Sequence, residues 1–258
     1  MTEAAFFDLD KTIIAKSSTL AFTRPMFRAG MLSGSMLAKA GIAQAYYQAF
    51  GADHDQLERI KDELAGLVQG WSRDEVVALV EETVDEVVAP LVYSEALAII
   101  DQHKREGRRV VVISASPEEI VRPLCRYLGI SDVIATRSEV DEAGIYTGNI
   151  EFYAFGPGKA EAMREMANAD GIDLELSYAY SDSVTDLPML EAVGNPVVVN
   201  PDTELAEIAE ERAWPVREFE SAVTLRDKLA TKEVAGAAVA TGIAAVLAYW
   251  ALKGRKSD

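Results

Sequence analysis

Short apolar runs alternate with longer amphipathic stretches along much of this chain. The apolar runs predict strands over residues 4–9, 108–116, 133–136, 177–183 and 195–202, and a hairpin over 139–152. The amphipathic stretches predict helices over residues 95–106, 117–128, 158–169 and 186–193. Because apolar strands that alternate with helices form parallel sheets covered on both faces, the pattern predicts an α/β fold.

Residues 17–93 show a different pattern, since apolar residues recur there at helical spacing. One stripe comprises Leu57, Ile60, Leu64, Leu67 and Val68, and a second comprises Val76, Val77, Val80, Val84, Val87 and Val88. No strand pattern interrupts them. We therefore predict a helical insert between the first strand and the rest of the sheet.

Three of the predicted strands end at polar residues of similar character. These residues are Asp8 and Asp10, Ser114 and Ser116, and Ser181 and Asp182. Lys159 begins a later predicted helix, and Asp186 follows Asp182 by four positions. Because ligands of open parallel sheets bind at the carboxyl ends of the strands, we expect these carboxylates, hydroxyls and one ammonium around one crevice.

Such a set of side chains suits phosphoryl transfer assisted by Mg²⁺. This ion takes oxygen ligands and usually few protein carboxylates, two of which Asp8 and Asp182 can supply. The dication and Lys159 would neutralise the phosphate charge that otherwise repels a carboxylate nucleophile. Each feature alone has an ordinary explanation, such as a turn or a solvated lysine, so the prediction depends on their combined order and spacing.

Charge and composition narrow the function classes. A net charge of −17 argues against nucleic-acid binding, because phosphates repel an acidic surface. The single cysteine, Cys125, excludes an intrachain disulfide and a cysteine-cluster zinc site. His54 and His103 lie far apart, which is typical of structural or surface residues rather than metal ligands.

Four short motifs, in this order, resemble those of the haloacid dehalogenase (HAD) superfamily. The stretch "FFDLDKT" is similar to the DxDxT motif, and "VVVISAS" is similar to the second motif, a strand that ends in Ser or Thr. Lys159 fits the third motif, and "SDSVTDLPML" resembles the fourth, usually written GDSxxDxxML. The resemblance covers about residues 4–219.

The position of the helical insert resembles that of C1-cap members, in the phosphoserine-phosphatase-like branch (subfamily IB). The resemblance implies a Rossmann-like α/β core of residues 1–16 and 94–225 and a helical C1 cap of residues 17–93. We call these segments the predicted core and the predicted cap.

The resemblance also implies a role for each matching residue. Asp8 would be the nucleophile that forms an aspartyl-phosphate, and Asp10 would protonate the leaving oxygen and then activate water. Mg²⁺ would bind the side chains of Asp8 and Asp182 and the backbone carbonyl of Asp10, and Asp186 would support this site. The phosphoryl group would be held by Thr12, which also orders the loop, and by Ser114 and Lys159.

The activity implied is hydrolysis of a small phosphate monoester. Dehalogenases of the superfamily lack an acid two residues after the nucleophile, because halide leaves without a proton, so Asp10 favours a phosphatase. The DKTGT signature of P-type ATPases is absent from the sequence. A phosphoserine phosphatase, a phosphomutase and a membrane-tethered binding protein without turnover are the alternatives, and the intact acid pair argues against the last.

Two departures from the family pattern bear on the site and the substrate. Ser181 stands where the fourth motif has glycine, and we expect mild strain if the backbone there needs a positive φ. Ser17 stands where phosphoserine phosphatases carry a glutamate suited to an ammonium group, which argues against phosphoserine. Residues 23–50 are rich in Met, Phe and Tyr. This surface would either receive an apolar phosphate ester or form the cap's own core.

The last feature is an uncharged stretch near the C-terminus, residues 234–252. It has nineteen residues, close to the ~20 needed to span a bilayer, and Tyr249 and Trp250 lie near one end. It predicts a C-terminal transmembrane helix that anchors a cytoplasmic catalytic domain, since the N-terminus lacks a secretory signal pattern. A soluble helix packed on the domain, or a loose tail, is the alternative.

Overall fold

A computed structural model describes residues 2–34, 36 and 65–220. These residues form a seven-stranded sheet with helices packed against it. The strands are β1 (Ala4–Phe7), β2 (Arg109–Pro117), β3 (Asp132–Val140), β4 (Tyr146–Phe152), β5 (Tyr178–Ser181), β6 (Asn195–Val199) and β7 (Val216–Arg217). Their order across the sheet is β4-β3-β2-β1-β5-β6-β7. The pair β3–β4 is antiparallel and the other pairs are parallel, so the predicted Rossmann-like α/β fold is confirmed.

Helices cover both faces of the sheet. They are α1 (Ser18–Ala21), α2 (Thr23–Arg28), α3 (Arg73–Val88), α4 (Ser94–Arg105), α5 (Glu118–Tyr127), α6 (Pro157–Asp170), α7 (Leu187–Leu190) and α8 (Thr203–Glu211). Helices α3, α4 and α5 bury their apolar residues on one face, and α6, α7 and α8 do so on the other. Short 3₁₀ turns at Ala89–Leu91 and Val184–Asp186 precede α4 and α7.

The central strand β1 shows why a continuous apolar run forms a strand here. Successive side chains of a strand point to opposite faces, so Ala5 and Phe7 pack with α3–α5 while Ala4 and Phe6 pack with α6–α8. All four residues are buried. Complete burial of each phenylalanine stabilises the fold by ~2–3 kcal/mol.

Two parts of the sheet differ from the prediction. The strand predicted at 133–136 and the first arm of the predicted hairpin are one continuous strand, β3, which pairs with β4. The strand β7 is absent from the prediction, because two exposed residues are too few for an apolar pattern.

The described part of the predicted cap contributes to the same apolar core as the sheet. Val76, Val80, Val84 and Val88 repeat every four residues along α3, and they are buried in the cluster that contains Phe7. The stripe of Leu57, Ile60 and Leu64 lies outside the described residues. The division into core and cap stays a prediction.

Two further predictions concern residues that are largely outside the described ranges. Of the Met- and Tyr-rich stretch 23–50, the structure describes residues 23–34 and 36; there Met26 is buried in the core, while Phe27 is exposed. Residues 234–252, the predicted transmembrane helix, lie wholly outside the description. Within the described ranges, every helix is too short or too polar to cross a membrane.

Candidate active site

Asp8 lies directly after β1, at the carboxyl edge of the sheet. Its backbone N–H donates to the carbonyl of Tyr180 at 2.9 Å, which joins it to β5. The chain then turns tightly, and the N–H of Ile13 donates to the carbonyl of Leu9 at 3.0 Å. Within the turn, Lys11 has a φ of 63°. This left-handed conformation costs a residue with a Cβ ~1–2 kcal/mol, so the residue between Asp10 and Thr12 is strained.

Lys159 reaches the site from the first turn of α6, and two glycines permit this approach. Gly156, which precedes the helix, has φ 52° and ψ −123°, a conformation that residues with a Cβ rarely adopt. A Cβ on Gly158 would lie 2.6 Å from the carbonyl oxygen of Tyr153. Pro157 starts the helix, where its missing N–H has no helical partner to lose. The segment "GPGK" therefore places the lysine side chain inside the protein.

The ammonium of Lys159 lies between two buried carboxylates. Its Nζ donates to Asp8 Oδ1 at 2.6 Å and to Asp186 Oδ2 at 2.8 Å. Burial raises the pKa of Asp8 well above its usual range; Lys159 opposes this shift, and Asp186 and Asp10 add to it. Burial acts to lower the pKa of Lys159, but the two carboxylates outweigh it and raise that pKa. When both carboxylates are ionised, the group carries one net negative charge, which another cation would neutralise.

Asp182 follows β5 and lies beside the turn that contains Lys11. Its Oδ1 accepts a hydrogen bond from Thr12 Oγ1 at 3.4 Å, and its Oδ2 lies 4.0 Å from Lys11 Nζ. Burial raises the pKa of Asp182 to about 6, against the opposing effect of Lys11. Thr12 thus contacts a predicted metal ligand.

Ser181 resolves one of the departures noted in the sequence. Its Oγ donates to Asp186 Oδ2 at 2.7 Å, so the hydroxyl supports the same carboxylate that contacts Lys159. The positive φ that would strain a serine here does not occur: the described non-glycine residues with positive φ are Lys11, Asn200 and Ala213. A serine therefore fits this strand end and adds a hydrogen bond.

The donor set at this edge fits a hard dication. Oδ1 of Asp186 is buried and has no hydrogen-bond partner among the described residues, as expected of an oxygen that accepts from a metal-bound water. Asp8, Asp182 and the carbonyl of Asp10 offer the oxygen atoms that Mg²⁺ prefers. Within the described ranges, no group of three or more acidic, histidine or cysteine side chains is arranged to hold a metal ion. An ion that keeps several waters and takes one or two carboxylates does not require such a group.

Asp10 is held by groups from β2 and α1. Its Oδ2 accepts from Ser116 Oγ at 2.8 Å, and its Oδ1 accepts from the backbone N–H of Ser18 at 2.7 Å. The N–H of Ser116 in turn donates to Ser114 Oγ at 3.2 Å. The sequence interpretation placed Ser116 only at a strand end and did not include Ser18. A second serine two positions after Ser114 was the available signal for Ser116.

Ser17, the other departure, caps a helix. Its Oγ accepts from the N–H of Leu20 at 3.4 Å at the start of α1. Two acids, Glu118 and Glu119, lie at the start of α5, which packs close to α1; they are buried, and Arg73 pairs with both. The position of Ser17 itself carries a neutral hydroxyl that caps α1.

The structure brings the predicted residues into three hydrogen-bonded groups at one edge of the sheet. They are Asp8 with Lys159 and Asp186, Thr12 with Asp182, and Asp10 with Ser116. Ser114 is buried near the end of β2 and is joined to the third group through Ser116. The catalytic and binding roles of these residues stay predictions.

Comparisons with known proteins agree with this arrangement. The sequence signature of the haloacid dehalogenase-like hydrolases matches residues 5–191. The probable phosphatase Rv3661 of Mycobacterium tuberculosis (strain ATCC 25618 / H37Rv) is 51% identical over 247 residues, covering 95% of this chain and 86% of that protein. Phosphoserine phosphatase SerB1 of the same organism is 34% identical over 221 residues, covering 85% of this chain and 71% of that protein.

A solved structure shows the same fold. The crystal structure of a protein with unknown function from Bordetella pertussis Tohama I superposes with a TM-score of 0.74 and 30% identity, covering 84% of this chain and 98% of that chain. The resemblance that the four motifs indicated is confirmed, and so is the prediction of a hydrolase. This chain belongs to the haloacid dehalogenase-like hydrolase family.

Proposed function

We propose that this protein is a Mg²⁺-dependent phosphatase that hydrolyses a small phosphate monoester through an aspartyl-phosphate on Asp8. The observation that carries the proposal is the buried contact of Lys159 with Asp8, next to Asp182 and Asp10 at the carboxyl edge of the sheet. The names of the two mycobacterial relatives, a probable phosphatase and a phosphoserine phosphatase, support a phosphate-ester substrate.

In the first step, a carboxylate oxygen of Asp8 attacks phosphorus, and the bond between phosphorus and the ester oxygen breaks. Asp10 gives its proton to the departing oxygen, so that an alcohol leaves rather than an alkoxide. Lys159 balances the negative charge of Asp8 and of the phosphoryl group, which reduces their repulsion. When bound, Mg²⁺ held by Asp8, Asp182 and the Asp10 carbonyl would neutralise further phosphate charge.

In the second step, water attacks phosphorus, and Asp10, now ionised, takes a proton from it. The bond between phosphorus and Asp8 breaks, inorganic phosphate leaves and the carboxylate of Asp8 is restored. Asp10 therefore acts first as an acid and then as a base, and each step prepares it for the next. Thr12 and Ser114 would order the loop and hold the phosphoryl oxygens.

The surroundings of Ser17 favour a substrate whose alcohol part is uncharged. The cap of α1 supplies a hydroxyl at this position, and Arg73 pairs with both nearby acids. At the place where phosphoserine phosphatases carry a glutamate, this chain therefore presents a neutral hydroxyl instead of a carboxylate. Phosphoserine is the second candidate, because the relative that is 34% identical bears that name.

The test is a panel of phosphate esters assayed with and without Mg²⁺, including phosphoserine, glycerol 3-phosphate, phenyl phosphate and p-nitrophenyl phosphate. We expect Mg²⁺-dependent release of phosphate by the wild type and its loss in Asp8→Asn. The matched control is Asp101→Asn, because Asp101 is an exposed aspartate on α4. If the wild type releases no phosphate from any ester in the presence of Mg²⁺, the proposed function is wrong.

A membrane anchor over residues 234–252 stays a prediction from the sequence. The described residues give it no support, and the segment itself lies outside them. Fractionation of cells that express the full chain or a chain ending at residue 230 tests it. A full chain in the membrane fraction and a truncated chain in the soluble fraction would support the anchor; two soluble proteins would contradict it.

A further inference from the structure

Asp10 is joined to β2 and α1 by a group of hydroxyls to which the mechanism proposed above gives no role. Ser116 Oγ donates to Asp10 Oδ2 at 2.8 Å, and Ser18 Oγ donates to Ser116 Oγ at 2.9 Å. Thr19 Oγ1 lies 3.1 Å from the same Ser116 oxygen. Asp10 Oδ1 is held separately by the backbone N–H of Ser18 at 2.7 Å.

The hydrogen-bonding capacity of Ser116 sets the direction of these bonds. A serine hydroxyl has one proton to donate and two lone pairs that accept. Because Asp10 takes the proton, both the Ser18 and Thr19 hydroxyls must donate to Ser116. The Ser116 hydroxyl is therefore saturated, and such a chain of hydrogen bonds is polarised toward the carboxylate.

We infer that Ser116 is a positioning residue for proton transfer by Asp10, an inference that rests on the proposed phosphatase function. The Ser116 hydroxyl and the Ser18 N–H each donate a hydrogen bond to one carboxylate oxygen of Asp10, which limits rotation of the Asp10 side chain. A second lone pair on each oxygen stays available to carry the transferred proton. Proton transfer needs the acid within hydrogen-bond distance of the leaving oxygen, so this orientation matters in the step where Asp10 donates.

Ser18 begins α1, whereas Ser116 belongs to β2. The hydroxyl chain therefore links the acid to the first helix of the predicted cap as well as to the sheet. The packing of α1 against β2 is thus coupled to the orientation of Asp10. Loss of the Ser116 hydroxyl would remove the side-chain hydrogen bonds that connect Asp10 to α1.

The leaving group distinguishes a positioning role from a merely structural one. p-Nitrophenolate is a stable anion and needs little help from an acid, whereas phenolate needs more. Phenyl phosphate and p-nitrophenyl phosphate differ little in shape, so a general loss of structure would affect both alike. A misplaced acid would slow the phenyl ester selectively.

The experiment measures kcat/KM for both esters in the presence of Mg²⁺, because this ratio includes the step in which the alcohol leaves. For Ser116→Ala we expect a loss of about tenfold on phenyl phosphate and of less than about threefold on p-nitrophenyl phosphate. Ser18→Ala removes one donor to Ser116 but leaves the Ser116 hydroxyl in place. Its loss of kcat/KM should be smaller and should again be greater on phenyl phosphate than on p-nitrophenyl phosphate. The exposed Ser131→Ala is the matched control and should match the wild type on both esters.

An equal loss on the two esters, or no loss on either, would overturn the inference. If Ser116→Ala does not fold, as judged by circular dichroism, Ser18→Ala decides by the same comparison. A wild type that releases no phosphate from any ester of the panel refutes the proposed function instead, so the two failures are distinguishable.

Discussion

The Nζ of Lys159 lies 2.6 Å from Oδ1 of Asp8, although the two residues are 151 positions apart in the sequence. Both side chains are buried, and Asp186 is the second carboxylate on the same ammonium. Assembly of β1 and α6 on the sheet therefore creates the charge arrangement of the site. We therefore expect both the stability of the protein and the proposed chemistry to depend on Lys159.

Replacement of Lys159 by Met should destabilise the protein and abolish hydrolysis. Removing one partner of a buried ion pair leaves an uncompensated charge, which costs ~3–5 kcal/mol. Urea unfolding measures this change. Lys104→Met, at an exposed lysine whose Nζ donates to the carbonyl of Gly129, should cost no more than ~1 kcal/mol.

A double variant checks the cause of that loss. Asp186→Asn removes one of the two carboxylates, so adding Lys159→Met in its background should cost less than Lys159→Met alone. Equal costs in the two backgrounds would show that the carboxylate of Asp186 and the ammonium are not coupled.

Gly158→Ala should displace Lys159 without removing any charge. The new Cβ would lie 2.6 Å from the Tyr153 carbonyl oxygen, so the first turn of α6 must shift. We expect a loss of Mg²⁺-dependent hydrolysis of at least about tenfold, because small misplacements of catalytic groups have effects of this size. Gly66→Ala meets no atom within 4 Å and serves as control. Unchanged hydrolysis by Gly158→Ala would mean that the position of Lys159 does not depend on this close approach.

Lys11 should tolerate glycine better than valine. Its φ of 63° suits glycine, whereas a β-branched side chain is strongly disfavoured there. We expect Lys11→Val to be at least ~1 kcal/mol less stable than Lys11→Gly in urea unfolding. Both variants lose the same ammonium near Asp182, so the lost charge does not cause the difference between them. A valine variant as stable as the glycine variant would contradict the assigned strain.

Acid should weaken the fold through His103. Its Nδ1 lies 3.2 Å from Arg108 Nη1, which can only donate, so Nε2 carries the ring proton and faces Tyr180 Oη at 2.8 Å. Burial, and then Arg108, lower the pKa of His103 to about 4. An unfolded histidine has a pKa of ~6.5, so between these values the unfolded chain binds a proton that the folded chain does not.

This contribution to stability is present above pH ~6.5 and is lost as the pH falls toward 4. His103→Gln cannot titrate, so it should lose less stability than the wild type between pH 7 and 4.5, by on the order of 2 kcal/mol. Urea unfolding at the two pH values measures both losses. Parallel losses in the two proteins would show that His103 does not cause the acid sensitivity.

The sequence predicted those parts of the site that depend on local pattern. Apolar runs that end in Asp8, Ser114 and Asp182 read as buried strands, and parallel strands bring their carboxyl ends to one edge. Lys159 was predictable because the family motif places a lysine at a helix start. The spacing of "GPGK" did not reveal why two glycines are needed there, since the reason is a carbonyl at Tyr153 that the folded chain brings close.

The α/β order and the polar residues near the ends of the central strands follow from the sequence alone, because apolar periodicity and motif spacing are properties of neighbouring residues. The tertiary structure decided which partners those residues have. Ser116 meets Asp10 across 106 positions, and Thr12 meets Asp182 across 170. The backbone φ of Lys11 and the continuity of α3 with the sheet core were likewise outside the sequence pattern. The contacts depend on how distant segments pack together and the φ of Lys11 on the geometry of one turn, and apolar periodicity describes neither.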